Sequence, residues 1–396
     1  MNELLYEQIK QDVERIFPQL VAWRRDFHQF PEPSFHEFET AKKVATLLDS
    51  FGLEVHTGIG GTGVVGLLRG HHQGPTVALR ADLDALPIQD EKQCEYRSMV
   101  SNVMHACGHD GHMAMLLGVA LLLSQQKEKL HGNVLFIFQH AEEIVPGGAK
   151  SIIEAGFLHQ VDAIYGIHLW TPLPTGIVGV RIGELMAAAD SFRIEVIGKG
   201  GHGGLPHHTI DPVIIASHLV VNLQTIVSRQ INPLQSGVIT VGSIRGGHTF
   251  NIIADQCVLE GTVRSFDPHI QKQLADQITQ VTRMTCQMFG ATYQLDYRWG
   301  YPAVINHMSE VERIRRIGLQ FYGVEKVWEL EPVMAGEDFS YYLQKIPGAF
   351  FFIGAGNKEK GITFPHHHPR FDVDEQAFQV GAEMFLGLTL SHLLHT

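Results

Sequence analysis

Cysteine, histidine and acidic residues lie close together in residues 104–112, which read MHACGHDGH. In extended or loop backbone, side chains two residues apart project to the same side, so Cys107 and His109 can bind one metal ion. Asp110 can then accept a hydrogen bond from the second ring nitrogen of a ligand histidine and fix its tautomer. The alternative is a glycine-rich loop with a buried thiol and solvated histidines.

An acidic pair, Glu142 and Glu143, follows the apolar residues 136–138. In doubly wound sheets, ligands bind beyond the carboxyl ends of the strands. Adjacent side chains in extended backbone face opposite ways, so the two carboxylates should have different roles, one as a metal ligand and one as a general base. The alternative is a solvated strand end, because glutamate is seldom buried without a partner.

Histidines mark two further segments. His168 follows the apolar residues 163–167, and three histidines, residues 366–368, lie between Pro365 and Pro369. The prolines predict a nonhelical loop for this histidine run. A single histidine after an apolar strand is often only a core residue, and a histidine run can simply be solvated.

Taken together, these four segments offer more ligands than one tetrahedral structural zinc requires. The set suits two adjacent divalent ions, which lower the pKa of a bridging water and polarise a carbonyl group. The protein must then supply a base, and Glu142 is the candidate. Zinc, manganese, cobalt and nickel all fit, because their ligand preferences overlap.

Alternating apolar and amphipathic stretches indicate the elements that position these residues. Strands are predicted at residues 76–79, 133–138 and 163–167, and a helix at residues 111–130. This alternation is typical of an α/β fold, with a doubly wound, mostly parallel sheet and helices on both faces.

The pattern changes near residue 185 and returns near residue 301. The part between is predicted to be a smaller α+β domain, with strands at 191–197, 237–244 and 257–264 and helices at 211–229 and 269–289. A strand at 349–353 and a helix from 374 then complete the first domain. We therefore predict one domain from residues 1–184 and 299–396 and an inserted domain from residues 185–298.

Composition limits the possible partners. The 396 residues are 44% hydrophobic and carry 30 basic and 42 acidic side chains, a net charge of −12. This excludes disorder and argues against nucleic acid as a partner, and no apolar run is long enough to span a membrane. The four cysteines are too few and too scattered for a disulfide framework, and no export signal is recognisable, so a reducing cytoplasm is expected.

Seven segments, in this order and across nearly the whole chain, resemble the aminoacylase-type metallohydrolases. The family includes hippurate hydrolases, auxin-conjugate hydrolases and N-acetyldiaminopimelate deacetylases. The segments are ALRADLDALP, MHACGHDGHMA, AEE, GKGGHGGLPHHTIDPV, the segment around Asn251, MAGEDFSYYL and HHHPRFDVDE. They are highly specific for the family and poorly specific for the substrate.

The resemblance implies a role for each matching residue. The implied metal ligands are Cys107, His109, Glu143, His168 and His367, with Cys107 bridging the ions, and the implied base is Glu142. Asp82 or Asp84 would orient a ligand. His202 would reach the site of the opposite subunit, and Asn251 and Arg264 would bind the substrate carboxylate. The simpler interpretations are a turn around His202 and a surface charge at Arg264. The choice of His367 over His366 rests on its spacing to Pro369, and His140 replaces a proline that is usual in the family.

The resemblance also implies an activity and an assembly. It implies a metal-dependent amidohydrolase that cleaves N-acyl amino acids to a carboxylic acid and a free amino acid. The inserted domain would be a lid through which two subunits form a homodimer. A dipeptidase and a noncatalytic metal-binding protein are the alternatives.

Overall fold

The computed structural model describes residues 3–394. Over these residues the chain forms sixteen strands: β1 (Glu54–Ile59), β2 (Gly63–Arg69), β3 (His72–Asp82), β4 (His131–Gln139), β5 (Ala163–Pro174), β6 (Val178–Val180), β7 (Gly183–Met186), β8 (Ala188–Ile197), β9 (Gly201–His202), β10 (Gly237–Gly246), β11 (Ile252–Ile253), β12 (Gln256–Ser265), β13 (Thr292–Tyr301), β14 (Val304–Asn306), β15 (Val327–Glu329) and β16 (Gly348–Gly356). The same residues form nine α-helices: α1 (Glu3–Gln29), α2 (Phe38–Ser50), α3 (His109–Ser124), α4 (Ala149–Glu154), α5 (Pro212–Thr225), α6 (Pro268–Met288), α7 (Met308–Tyr322), α8 (Ser340–Leu343) and α9 (Ala377–Leu393). None of these helices is both long and apolar enough to cross a bilayer.

The larger sheet has eight strands in the order β1-β2-β4-β3-β5-β16-β6-β15. The four central strands β4, β3, β5 and β16 are parallel to one another, and β15 is parallel to β6. Their long buried apolar stretches are typical of parallel strands covered on both faces. The mostly parallel α/β fold predicted from the sequence is therefore confirmed. Asp82 pairs with Gln139, so β3 and β4 end at the same edge of the sheet.

The N-cap residue Gly108 and the first residue of α3, His109, lie at this edge. The helix is buried along almost its whole length. A helix that is apolar all round belongs inside a protein, and α3 packs against α1 and α9. The helix begins at His109, two residues before the predicted start, and ends at Ser124 rather than Leu130. It ends early because residues 125–130 turn the chain, through a short 3-10 helix, into β4.

The second compact unit contains a four-stranded antiparallel sheet in the order β10-β12-β8-β13. Burial alternates along β8, as expected for a sheet with one covered face. Helices α5 and α6 contribute to the core on that face. Both helices begin with an aspartate followed by proline: Asp211 accepts a hydrogen bond from Val213 N (2.9 Å) and Asp267 from His269 N (2.6 Å). This confirms the predicted smaller α+β unit.

The boundaries of the two units follow the strands. The first unit comprises residues 1–185, 305–331 and 338–396, and the second comprises residues 186–304 and 332–337. The return to the first unit thus falls after residue 304 rather than the predicted 298, because β13 runs on to Tyr301. Residues 332–337, which we had placed in the first domain, pair with the second unit through the bridge between Val333 and Met186.

Candidate metal centre

Six residues that the sequence identified converge in the first unit. Their donor atoms form three overlapping groups, in each of which all the atoms lie within 4.8 Å of one another. The groups are Cys107, His109 and His168; Cys107, Glu143 and His367; and His109, Glu142 and Glu143. Cys107, His109 and Glu143 each belong to two of the three groups.

His168 lies within β5, which continues six residues past it to Pro174 instead of ending there. Its Nδ1 donates a hydrogen bond to Leu169 O (2.8 Å), which fixes the tautomer with a lone pair on Nε2. That nitrogen lies 3.4 Å from the Cys107 Sγ. Burial lowers the pKa of His168 well below its ordinary value, so the ring stays neutral.

His109 is the first residue of α3, and its neighbour Gly108 has a φ of +97°. The approach of Cys107 and His109 therefore comes from a left-handed turn that favours glycine, and not from extended backbone as we had reasoned. The Nδ1 of His109 donates to Asp84 O (2.9 Å). Its buried Nε2 has no hydrogen-bond partner among the described residues and lies 3.9 Å from Glu143 Oε1. Burial opposes the charged ring, but Asp82, Asp84 and Glu143 together raise the pKa of His109 to about 10.

Two aspartates from the end of β3 support this arrangement. Asp84 Oδ2 accepts hydrogen bonds from Ser34 Oγ (2.7 Å) and from Glu143 N (3.0 Å). Asp82 binds His112 Nδ1 (2.6 Å) and Arg80 Nη1 (2.6 Å). Because His112 Nε2 also accepts a hydrogen bond from Leu169 N (2.9 Å), both nitrogens of His112 are occupied. The two aspartates therefore hold His109, His112 and the backbone of Glu143 in place.

Asp110 does not have the contact that we predicted. Its Oδ2 binds Arg24 Nε (2.7 Å) and His28 Nδ1 (2.7 Å), neither of which belongs to the converging groups. The reason is its position in α3: consecutive helical residues point about 100° apart, so Asp110 is turned away from the side to which His109 points. The prediction that Asp110 orients a ligand histidine was wrong.

The acidic pair follows a turn at the end of β4. Ala141 has a φ of +51°, and Glu142 is buried while the Glu143 side chain is 9% exposed. Burial, with the nearby carboxylates of Glu143 and Glu142, raises the pKa of the Cys107 thiol well above its usual value. A divalent cation among these groups would reverse that effect, because it favours the thiolate.

The structure distinguishes two of the three consecutive histidines. His367 Nε2 lies 3.3 Å from Glu143 Oε1, and the hydrogen bond to Glu143 raises the pKa of His367. The partly buried His366 instead donates from Nε2 to Leu169 O (3.0 Å), the carbonyl that also binds His168, and its ring stacks on Trp170 at 4.6 Å. His366 therefore supports the segment around His168, and only His367 faces the acidic pair.

The second unit holds the remaining predicted residues. His202 in β9 pairs with Ile252 in β11, and Asn251 O accepts a hydrogen bond from Gly203 N (2.9 Å), so His202 and Asn251 lie side by side and exposed. Arg264 lies in β12, where its Nη1 donates to Val263 O (3.1 Å) and Asp190 O (3.4 Å). Burial lowers the pKa of Arg264.

Sequence reasoning missed several residues that hold the centre together. Asp338 receives hydrogen bonds from Arg80 Nη2 (2.9 Å) and Gln139 Nε2 (2.7 Å), which joins the ends of β3 and β4. Its signal was present, since Asp338 lies in the segment MAGEDFSYYL. Ser34 and Glu37 carried no comparable signal, because their contacts with Asp84 and Ala141 span 50 and 104 residues of the chain.

Comparison with known proteins identifies the family of the chain. The model of peptidase family M20/M25/M40 matches residues 78–391. YhaA, a Bacillus subtilis protein named as an amidohydrolase, is 48% identical over 388 residues, 98% of each chain. The N-acetyl-L-cysteine deacetylase of the same organism is 42% identical over 95% of this chain and 88% of its own.

A solved structure extends the comparison. The Bacillus subtilis protein YXEP, described as a dinuclear metal-binding peptidase of the M20 family, is 34% identical and superimposes with a TM-score of 0.82. The match covers 96% of this chain and 98% of that one. We conclude that the chain belongs to peptidase family M20/M25/M40 and, with it, is a hydrolase of amide bonds.

Proposed function

We propose that the chain hydrolyses N-acyl amino acids to a carboxylic acid and a free amino acid, with two divalent ions and Glu142 as the general base. The observation that carries the proposal is the convergence of thiol, imidazole and carboxylate donors beside Glu142. The relative named N-acetyl-L-cysteine deacetylase, 42% identical, supports the substrate class.

The donor set fits divalent metal ions. His109 Nε2 is buried without a hydrogen-bond partner among the described residues, and His168 Nε2 presents a lone pair toward Cys107. We assign Cys107, His109, Glu143, His168 and His367 as the residues that would hold the ions. Zinc, manganese, cobalt and nickel all suit thiolate, imidazole and carboxylate ligands together.

When bound, the ions supply a water of lowered pKa and polarise the acyl carbonyl. Glu142 accepts the proton that the attacking water loses as its oxygen bonds to the carbonyl carbon. The C–N bond then breaks, and Glu142 returns the proton to the leaving nitrogen. Asp84 keeps two residues in position during both steps. Its carbonyl oxygen accepts a hydrogen bond from His109 Nδ1, and its carboxylate accepts one from Glu143 N.

Residues of the second unit complete the proposal. His202 would stabilise the oxyanion in the site of a partner subunit, and Asn251 and Arg264 would bind the substrate carboxylate. The exposed, adjacent positions of His202 and Asn251 support this role. Exposed apolar residues on α5 and on the edge strand β10, among them Val221 and Ile244, support a homodimer through this unit. We place the enzyme in the cytoplasm.

Glu142→Gln tests the proposal. The variant should keep its metal content while kcat on N-acetyl or N-benzoyl amino acids falls at least about a hundredfold, the low end for loss of general acid–base catalysis. Plain dipeptides are assayed beside these substrates. Hydrolysis of the dipeptides instead would identify a dipeptidase, which requires a free α-amino group.

Glu143→Gln is the matched control, because it changes the neighbouring carboxylate and should reduce metal content as well as kcat. Full activity in Glu142→Gln would remove Glu142 from the base role. Many weakly held ions per chain, with no hydrolysis of either substrate class, would indicate a noncatalytic metal-binding protein.

A further inference from the structure

Glu37 lies at the start of α2, but its carboxylate does not cap that helix. It occupies the N-cap position and makes no side-chain cap hydrogen bond. The cap is supplied by Glu32, whose carboxylate oxygens accept hydrogen bonds from Thr40 N (2.8 Å) and Glu39 N (3.2 Å). Glu37 is therefore available for contacts outside α2.

The fully buried carboxylate of Glu37 accepts three hydrogen bonds. Its Oε1 accepts from Ala141 N (2.9 Å) and from Phe35 N (3.0 Å), and its Oε2 accepts from Thr62 Oγ1 (2.6 Å). The contact with Ala141 spans 104 residues of sequence. Such a buried carboxylate is stable only where donors compensate for the loss of water, and here one of the donors is the residue before Glu142.

Ala141 has the backbone conformation that most needs such support. Its φ of +51° lies in the left-handed region, which residues with a Cβ rarely adopt. The residue is also completely buried, so its N–H would lack a hydrogen-bond partner without Glu37. The turn at Ala141 sets the direction in which the chain continues from the end of β4 into Glu142 and Glu143.

A second contact from the same segment reaches the other side of Glu142. Ser34 Oγ donates to Asp84 Oδ2 (2.7 Å), and this oxygen also accepts a hydrogen bond from Glu143 N (3.0 Å). Residues 34–37 thus hold the backbone before Glu142 directly and the backbone after it through Asp84. Two independent contacts from one short segment therefore converge on the acidic pair.

We propose that Glu37 is a positioning residue, which fixes the left-handed turn at Ala141 and thereby aims Glu142 and Glu143 at the metal centre. The inference rests on the proposed function for the roles of the acidic pair. Among the described residues, the hydrogen bonds of the Glu37 carboxylate go to Phe35, Thr62 and Ala141 and to none of the assigned ligands, so it acts through the backbone of Ala141.

Glu37→Met tests the proposal, because methionine has a similar length and accepts no comparable hydrogen bond. We expect amide hydrogen exchange in residues 140–144 to rise and affinity for Mn²⁺ or Zn²⁺ to fall about tenfold or more, as for residues that orient metal ligands. kcat should fall by a similar factor with KM nearly unchanged. Glu37→Gln should stay near wild type, because its amide oxygen can still accept from Ala141 N while its amide nitrogen donates to Thr62.

Glu32→Met is the matched control, since it removes the cap of the same helix without touching Ala141. It should lower the melting temperature while leaving metal affinity and kcat within about twofold of wild type. If Glu37→Met does not fold, Thr62→Val, which removes one of the three donors, should shift the same readouts in the same direction by less. The proposal would be overturned if Glu37→Met showed the hydrogen exchange and metal affinity of wild type. If Glu37→Met does not fold, the same result in Thr62→Val would overturn it.

A rescue experiment isolates the mechanism. Glycine adopts a positive φ without a penalty, so Ala141→Gly should restore metal affinity and kcat in the Glu37→Met background by a larger factor than it changes them in wild type. Failure of this rescue would show that Glu37 does not act through the turn. If wild-type protein hydrolysed no N-acyl amino acid, the proposed function would fail, whereas hydrogen exchange and metal affinity would still decide the role of Glu37.

Discussion

Two clusters of similar residues lie on different sides of the first turn of α3 and have different roles. His109 points to the candidate metal centre, and the next residue, Asp110, points to a second group that we call the Arg24 cluster: Arg24, His28, Asp90, Lys92 and Asp110. Both clusters combine histidine with carboxylates and are largely buried, although His367 of the metal centre is 52% exposed.

The two clusters differ in the source of positive charge. In the Arg24 cluster, Arg24 Nε lies 2.7 Å from Asp110, and Lys92 Nζ lies 3.3 Å from Asp90. In the metal centre, the carboxylates of Glu142 and Glu143 lie beside imidazoles instead: the pKa of His109 is raised to about 10, and that of His367 is raised by its contact with Glu143. Arginine and lysine keep their charge and suit a structural cluster, whereas imidazoles can lose their protons and bind a divalent ion.

The largest expected effect comes from removing the cation of the structural cluster. Arg24→Met should lower the free energy of unfolding by about 3–5 kcal/mol, because it removes the guanidinium that compensates the buried charge of Asp110. Metal content per folded chain should remain that of wild type. Denaturant unfolding and metal analysis of the same sample measure both quantities.

Arg25→Met is the control for this prediction. Arg25 also binds a carboxylate, Glu375, at 2.8 Å, but its side chain is 43% exposed. An exposed pair contributes at most about 1 kcal/mol, so this variant should be nearly as stable as wild type. Equal losses from Arg24→Met and Arg25→Met, or loss of metal from a stable Arg24→Met protein, would remove the distinction between the clusters.

A smaller, pH-dependent effect is expected at Asp90. Burial opposes its charge, but hydrogen bonds from His28, Ser98 N and Lys92 N, with the Lys92 ammonium, hold the pKa of Asp90 well below its usual value. Its stabilising effect is therefore present above the unfolded pKa of about 3.9 and is lost as pH falls toward the folded value. Asp90→Asn should cost about 1–3 kcal/mol at pH 7. The difference from wild type should shrink below about pH 4.

Urea unfolding at pH 7, 5 and 3.5 measures this difference directly. Glu91→Gln serves as the control, because Glu91 is the exposed neighbour of Asp90 and its loss should change stability little at any of these pH values. A difference between Asp90→Asn and wild type that grew as the pH fell would show that the carboxylate of Asp90 does not stabilise the fold.

Sequence patterns predicted the central strands and the two-unit fold because apolar periodicity depends on neighbouring residues. The strands predicted at 133–138 and 349–353 lie inside β4 and β16. The end of α3 was missed because residues 125–130 still look helical, although the chain must turn there to begin β4. Local pattern alone does not determine where such a turn occurs.

The candidate site was predictable where chemistry and spacing coincide, as at Cys107, His109 and the acidic pair. Asp110 was misassigned because extended backbone was expected where a helix begins. Glu37 was missed because its role depends on a contact with Ala141 and on the φ of that residue. Contacts between residues far apart in the chain leave no local signal.

The central claim is that the four converging segments of the first unit bind a pair of divalent ions beside Glu142. Metal analysis of purified wild-type protein and of Cys107→Ala, by mass spectrometry after dialysis against metal-free buffer, tests it most directly. The account predicts about two tightly held divalent ions per wild-type chain and loss of at least one of them in Cys107→Ala, since Cys107 belongs to two of the three donor groups. No bound metal in active wild-type protein, or unchanged metal content in Cys107→Ala, would contradict it.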